Sequence, residues 1–87
     1  MKEADITVQE FSEALTRKMT SLPLITIYHG PDDYPDKYVA RLWDLDRPTR
    51  YVAVAESLEK IRETVPKNML LLGRRPEDDP CVLEVYV

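Results

Sequence analysis

The sequence predicts a single α+β domain, with a four- or five-stranded, mainly antiparallel sheet and helices on one face. Three observations predict this class. The 87 residues suffice for one core and not for two. Stretches with the period of strands follow one another between residues 24 and 55 and recur at residues 81–87. Two further stretches carry apolar residues at helical spacing. The predicted order is therefore α-β-β-β-α-β-β.

The first predicted element is an amphipathic helix over residues 5–20. Thr7 and Glu10 have the spacing of a capping box, and Ile6 and Phe11 have that of a hydrophobic staple. We expect the helix to pack on the chain's own sheet, with the groove of a partner protein as the alternative. Its apolar stripe consists of Val8, Phe11, Ala14, Leu15 and Met19.

The central stretch, residues 37–66, is predicted to form a strand, a connection at residues 44–48, a second strand and a helix. Both faces of the first strand are partly apolar, which is typical of a strand inside a sheet. The short side chain of Ala53 indicates that another element packs closely on the second strand. Ser57 is the predicted N-cap of the helix, and Pro66 ends it.

The remaining strands lie on either side of this central stretch. Residues 24–28 and 81–87 are rich in β-branched and aromatic side chains, and residues 69–72 form a short apolar run. We divide the single domain, residues 1–87, into an N-terminal helix at 1–21 and a core at 22–87.

Composition restricts the classes of function. The net charge of −4 disfavours nucleic acid as a partner, because an acidic chain neutralises phosphates poorly. The only glycines, Gly30 and Gly73, exclude a glycine-rich phosphate loop, and Cys81 alone cannot form a disulfide within the chain. With neither a membrane span nor a signal peptide, the expected location is cytoplasmic.

Catalytic and metal sites are weakly supported. His29 next to Asp32 and Asp33 has the groups of a general base, but no nucleophile motif accompanies it. Asp32, Asp33 and Asp36 lack the order of an EF-hand, so a solvated turn is the preferred interpretation. We predict no enzyme activity, no metal and no cofactor, and we expect His29 at the surface.

Two proline-containing loops that carry both positive and negative side chains, residues 44–50 and 74–79, are the best candidates for a binding site. Their arginines can act as fork-shaped donors, with Trp43 as an apolar anchor. If the loops meet, mutual surface ion pairs are the alternative explanation of their charges. The candidate protein-binding residues are Trp43, Asp44, Asp46, Arg47, Arg50, Arg74, Arg75, Asp78 and Asp79.

The central stretch resembles part of the HicB-type antitoxins. The segments Lys37-Tyr-Val-Ala-Arg-Leu42 and Val54-Ala-Glu-Ser-Leu-Glu-Lys-Ile61 have the rhythm of that family's strand, strand and Ser-Leu-Glu helix start. The glycine that precedes the helix in that family is absent here. The resemblance implies an antitoxin-like regulator, or a protein associated with nucleic acid.

Residues 24–87 are also similar to small proteins of bacteria and mobile elements whose function is unassigned. The shared features are Tyr34–Val39, Pro48-Thr49, Ser57–Arg62 and Asp78–Pro80. This likeness suggests that the first helix is a variable addition. The leading hypothesis is a non-enzymatic accessory module that binds another protein. The alternative is a structural domain that self-associates, as a homodimer, through an open last strand.

Overall fold

The computed structural model describes residues 5–30, 34–72 and 81–87. It confirms the predicted class, a single α+β domain with a five-stranded sheet and two helices. The sheet order is β1-β4-β3-β2-β5. The elements are β1 (Ile6–Thr7), α1 (Glu13–Met19), β2 (Pro23–His29), β3 (Tyr38–Asp44), β4 (Arg47–Ala55), α2 (Leu58–Arg62) and β5 (Val82–Tyr86).

The pairing of the strands is mostly antiparallel. Strand β2 pairs antiparallel with both β3 and β5, and β3 pairs antiparallel with β4. Strand β1 runs parallel to β4, which makes the sheet mixed. The predicted last-but-one strand is reduced to an isolated bridge, in which Leu71 pairs antiparallel with Tyr86. This short segment lies on the outer side of β5.

The start of the chain differs from the prediction of one long helix. Thr7 lies in β1, opposite Val52, and α1 begins only after Ser12. The capping box and the staple were therefore wrong. The true cap is Ser12, whose hydroxyl oxygen accepts a hydrogen bond from the amide of Leu15 at 3.0 Å. The amide of Val8 donates to the carbonyl of Val52 at 2.7 Å, so the backbone around Thr7 is bonded to β4 and does not form a helical turn.

The connection between β3 and β4 is shorter than predicted. Only Leu45 and Asp46 form the turn, and Arg47 and Pro48 already belong to β4. The register shifts between Arg41 and Trp43, where β4 carries extra residues. A hydroxyl fills this irregularity: Thr49 Oγ1 donates to the carbonyl of Leu42 at 2.6 Å.

Helix α2 has the predicted beginning and an earlier end. The Ser57 hydroxyl accepts a hydrogen bond from the amide of Lys60 at 3.2 Å, which confirms the predicted cap. The helix ends at Arg62, but Val65 and Pro66 beyond it are still buried. The carbonyl of Thr64 accepts a hydrogen bond from the amide of Phe11 at 2.7 Å. Phe11 directly precedes the N-cap of α1, so this bond connects the end of α2 to the start of α1.

The hydrophobic core combines alternate residues of the central strands with residues from both helical segments. Ala40 and Ala53 face each other across β3 and β4 and are fully buried. Helix α2 contacts both of these strands, as the short side chain of Ala53 predicted. The buried members of the core are Phe11, Ile25, Ile27, Ala40, Leu42, Ala53, Ile61 and Val65.

Candidate protein-binding surface

A row of apolar residues crosses the sheet on the face opposite the core. Leu24 pairs with Trp43, and Trp43 pairs with Pro48. Because Ile25 pairs with Tyr86, the same register places Val87 beside Leu24. Val87 in turn exchanges two backbone hydrogen bonds with Leu70, at 2.7 and 2.8 Å. We call these residues the apolar row: Pro48, Trp43, Leu24, Val87 and Leu70.

The position of this row follows from the pleat of the strands. Neighbouring residues of a strand point to opposite faces. Ile25 and Leu42 lie in the core, so Leu24 and Trp43 lie on the other face. From Trp43 toward β5 the row becomes more accessible: Trp43 and Leu24 are half-buried, Val87 is 39% exposed and Leu70 is 70% exposed.

The row ends at an uncharged edge, formed by Leu70, Leu71 and Leu72, which we call the leucine edge. The amides of Leu70 and Leu72 donate to the carbonyls of Val87 and Val85, both at 2.7 Å. Leu71 is paired with Tyr86 between these bonds, so its own N–H and C=O point away from β5. Leu71 is 53% exposed and Leu72 is 65% exposed.

The opposite edge of the sheet has a different character. Among the described residues, β1 pairs with β4 at Tyr51 and Val52, and the first residues of β4 precede these pairs. These residues include Arg47, Pro48 and Arg50, all exposed. Charged side chains and proline on an edge prevent other strands from pairing with it. The leucine edge carries neither, so the two edges are not equivalent as docking sites.

The charged residues of the β3–β4 hairpin divide into structural and accessible ones. The Asp44 carboxylate accepts hydrogen bonds from the backbone amides of Ser21 and Leu22, at 3.2 and 3.1 Å. The amide of Leu45 donates to the carbonyl of Leu22 at 2.9 Å. Asp44 therefore fixes the loop between α1 and β2 to the hairpin. Asp46 and Arg47 are exposed near Trp43 and border the apolar row.

The second predicted loop lies outside the described residues, and with it the candidates Arg74, Arg75, Asp78 and Asp79. The predicted pairing of the two loops stays a prediction. The residues that flank the second loop are described: Leu72 bonds to Val85, and the carbonyl of Cys81 accepts from the amide of His29 at 2.9 Å. Both flanks lie toward the His29 end of β2, and the hairpin turn lies at the other end.

The anchor proposed from the sequence, Trp43, is held by packing. Its indole Nε1 is buried and has no hydrogen-bond partner in the part of the chain that the structure describes. A buried donor without an acceptor costs roughly 1–3 kcal/mol, so the ring is held against this cost by its neighbours. The accessible part of Trp43 is therefore apolar, in keeping with the rest of the row.

A charged network supports the strand beside the leucine edge. Arg62 of α2 donates two hydrogen bonds to the Glu84 carboxylate of β5, from Nε at 2.9 Å and from Nη2 at 2.6 Å. The Tyr86 hydroxyl donates to the same carboxylate at 3.0 Å. The hydrogen bond from Arg62 lowers the pKa of Glu84, while burial raises the pKa of Tyr86. The network fixes β5, and so the strand on which the leucine edge rests.

A second ion pair stabilises the face that carries the row. Arg41 Nη1 and Nη2 donate to the two carboxylate oxygens of Asp5 at 3.0 and 3.2 Å. Arg41 also donates to the carbonyl of Thr49 at 2.8 Å, and the Tyr34 hydroxyl donates to Asp5 at 3.2 Å. These groups are largely shielded from water, with exposures of 20% for Arg41 and 16% for Asp5. They connect the start of the chain to β3.

The residues considered for catalysis are not assembled into a site by the described part of the structure. His29 is exposed and stacks on Tyr38, with ring centroids 4.3 Å apart. Asp32 and Asp33 lie outside the described residues. An open cleft of about 400 Å³ separates the N-terminal end of α1 from residues 63–68. Both hydroxyl side chains of its lining are engaged: Ser12 caps α1, and Thr64 Oγ1 donates to the carbonyl of Ile61 at 2.6 Å.

The described residues contain no group of three or more His, Cys, Asp or Glu side chains placed to hold a metal ion. Neither α1 nor α2 has the length and the apolar character needed to cross a membrane.

The sequence predicted Trp43 and the β3–β4 hairpin as binding residues, but it did not predict the leucine edge. Residues 69–72 were recognised as an apolar run, and residues 81–87 were expected to contain the open edge. In the structure β5 is covered by Leu70–Leu72, and the edge passes to those leucines. The leucines reach Trp43 through Val87 and Leu24, which are neighbours because Ile25 pairs with Tyr86. No short sequence pattern predicts this pairing between distant strands. Comparison of the chain with family models, curated proteins and solved structures found no match.

Proposed function

We propose that the chain is a non-enzymatic protein-binding domain whose partner docks on the apolar row and the leucine edge. One observation carries the proposal. Leu70, one of three consecutive leucines that are each more than half exposed, continues through Val87 and Leu24 to the only tryptophan of the chain. A contiguous exposed apolar surface is characteristic of sites that bind other proteins.

The charges around this surface support the same function. Asp46 and Arg47 border the row at its hairpin end and are exposed. Interfaces commonly consist of an apolar centre with a polar rim, where tryptophan and arginine contribute much of the binding energy. Trp43 and Arg47 occupy those two positions here. In this proposal Asp46 and Arg47 orient the partner, and the leucines contribute most of the binding affinity.

The backbone of the leucine edge supplies the mode of binding. The N–H and C=O of Leu71 point outward, while both of these groups of Leu70 and the N–H of Leu72 are engaged with β5. An extended segment placed along such an edge adds a strand to the sheet. Main-chain hydrogen bonds would hold the added strand, and the side chains of the row would select it.

The test is crosslinking at defined positions. A photo-crosslinking residue replaces Leu70 or Trp43, and in a matched variant it replaces Glu59 on the exposed side of α2. After irradiation in extract of the source cells, we expect adducts at positions 70 and 43 and none at position 59. Adducts at all three positions alike, or none at position 70, would refute the proposal. The mass of each adduct identifies the bound chain.

A further inference from the structure

We infer that the leucine edge binds a second copy of this chain, with the two edges antiparallel and Leu71 opposite Leu71. This inference rests on the proposed function and names the partner of that same surface. It concerns the described residues Leu70–Leu72 and the strand beside them, β5.

The hydrogen-bonding pattern of the edge is complementary to itself. Leu71 presents one donor and one acceptor on the outer side. In an antiparallel pair, two residues directly opposite each other can exchange both of their N–H···O bonds. A twofold axis at Leu71 provides this arrangement, so each copy satisfies the outward N–H and C=O of the other. The result is one continuous sheet through both chains.

The absence of charged side chains on Leu70–Leu72 favours a second copy of the chain at this edge. Each chain carries a net charge of −4, so two copies repel each other at long range. The edge itself is uncharged and brings leucine against leucine, with no like charges opposed. By contrast, antiparallel pairing of two copies about the start of β4 would bring Arg47 of each copy against Arg50 of the other. Of the described edge residues, Leu70–Leu72 pair with a copy of themselves without bringing like charges together.

The size of the contact sets its strength. Burying a whole leucine side chain removes roughly 60–120 Å² of apolar surface from water, and these leucines are between 53% and 70% exposed. With Val87, the contact removes a few hundred Å² per copy, compared with about 800 Å² in a standard stable interface. The dimer is therefore transient, with a dissociation constant on the order of 10–100 µM.

The first experiment is sedimentation equilibrium of the purified chain from about 5 µM to about 500 µM. We expect the mean mass to rise from the 10.1 kDa of one chain toward twice that value. Because salt screens the repulsion between acidic copies but not the apolar contact, the dissociation constant should fall several-fold between about 0.05 and 0.5 M NaCl. A chain that stays monomeric at both salt concentrations would overturn the inference.

Matched variants locate the contact. Leu71→Lys should weaken the dimer at least tenfold, while Leu22→Lys should change the dissociation constant less than twofold. Leu22 is a suitable control because its exposure of 56% is close to the 53% of Leu71. Leu71→Pro removes the outward N–H together with the leucine side chain and leaves the inward bonds of Leu70 and Leu72 in place, so it should also weaken the dimer. Circular dichroism verifies that each variant is folded. Equal weakening by the two lysine variants would exclude the leucine edge.

A disulfide reports the twofold geometry directly. Residues that form a hydrogen-bonded antiparallel pair have Cα atoms about 5.5 Å apart, within the range for a disulfide. In a Cys81→Ser background, Leu71→Cys should form a covalent dimer on mild oxidation, and Leu22→Cys should not. If the pure chain is monomeric but position 70 crosslinks to a different protein, the second copy is wrong and the proposed function stands. If neither occurs, both fail.

Discussion

The guanidinium of Arg62 holds the buried carboxylate of Glu84 through two hydrogen bonds, at 2.9 and 2.6 Å, and so joins α2 to β5. Glu84 is 8% exposed and lies opposite Ile27, among the residues of the core. A carboxylate at this depth requires such partners, because an unpaired buried charge is costly. The pair fixes the strand that carries the leucine edge.

This relationship predicts a pH-dependent stability. The folded-state pKa of Glu84 is lowered, chiefly by the hydrogen bond from Arg62. The stabilisation is therefore fully present above the unfolded pKa of a glutamate, roughly 4.3, and is lost as the pH falls through the lower folded value. Glu84→Gln should cost about 1–2 kcal/mol at pH 7 and much less near pH 2, measured by urea unfolding. Glu59→Gln, at an exposed position, is the control. An equal loss at both pH values would contradict the assignment.

The position of the α1 cap makes a second prediction. Ser12→Ala removes the acceptor of the Leu15 amide and should lower the free energy of unfolding by about 1 kcal/mol. Thr7→Ala should change it by less than about 0.5 kcal/mol, because Thr7 is exposed and its side chain caps nothing. Thermal unfolding of the two variants tests this. A larger effect of Thr7→Ala would restore the longer helix that the sequence predicted.

The hairpin turn contains a residue in an unfavourable backbone conformation. Leu45 has a φ of 59°, a region that asparagine tolerates better than leucine does. Leu45 is 58% exposed, so its replacement loses little packing. Leu45→Asn should stabilise the fold by about 0.5–1 kcal/mol, seen as a rise of several degrees in Tm. Leu22→Asn, at a comparably exposed leucine outside the turn, should not raise Tm. A fall in Tm for the turn variant would show that Leu45 contributes packing.

The close approach of α2 to the sheet predicts intolerance to larger side chains. Ala53 is fully buried opposite Ala40, beneath a helix that contacts both strands. Ala53→Leu should therefore destabilise the fold by about 1–3 kcal/mol, measured by urea unfolding. Ala14→Leu on the exposed side of α1 is the matched control and should be nearly neutral. If Ala53→Leu were equally neutral, the space beneath α2 would be larger than its packing indicates.

Local patterns in the sequence determined the strands and one helix. Alternation along residues 38–43 and 49–55 places β3 and β4 correctly, because successive side chains of a strand point to opposite faces of the sheet. Ser57 identified the start of α2 for a similar reason, since a cap bonds to an amide three residues away. The single domain and its class followed from the length of the chain and these elements.

Only the tertiary structure decided where the first segment and the edges of the sheet lie. Thr7 has the local chemistry of a helix cap, yet its backbone pairs with Val52, forty-five positions away in the chain. Leu70–Leu72 lie at the edge of the sheet because Val85 and Val87 bond to them. Such pairings depend on hydrogen bonds between distant residues, and a pattern within a few residues does not record them. The sequence therefore determined which segments would be strands, and the fold determined which of them would be left with an open side.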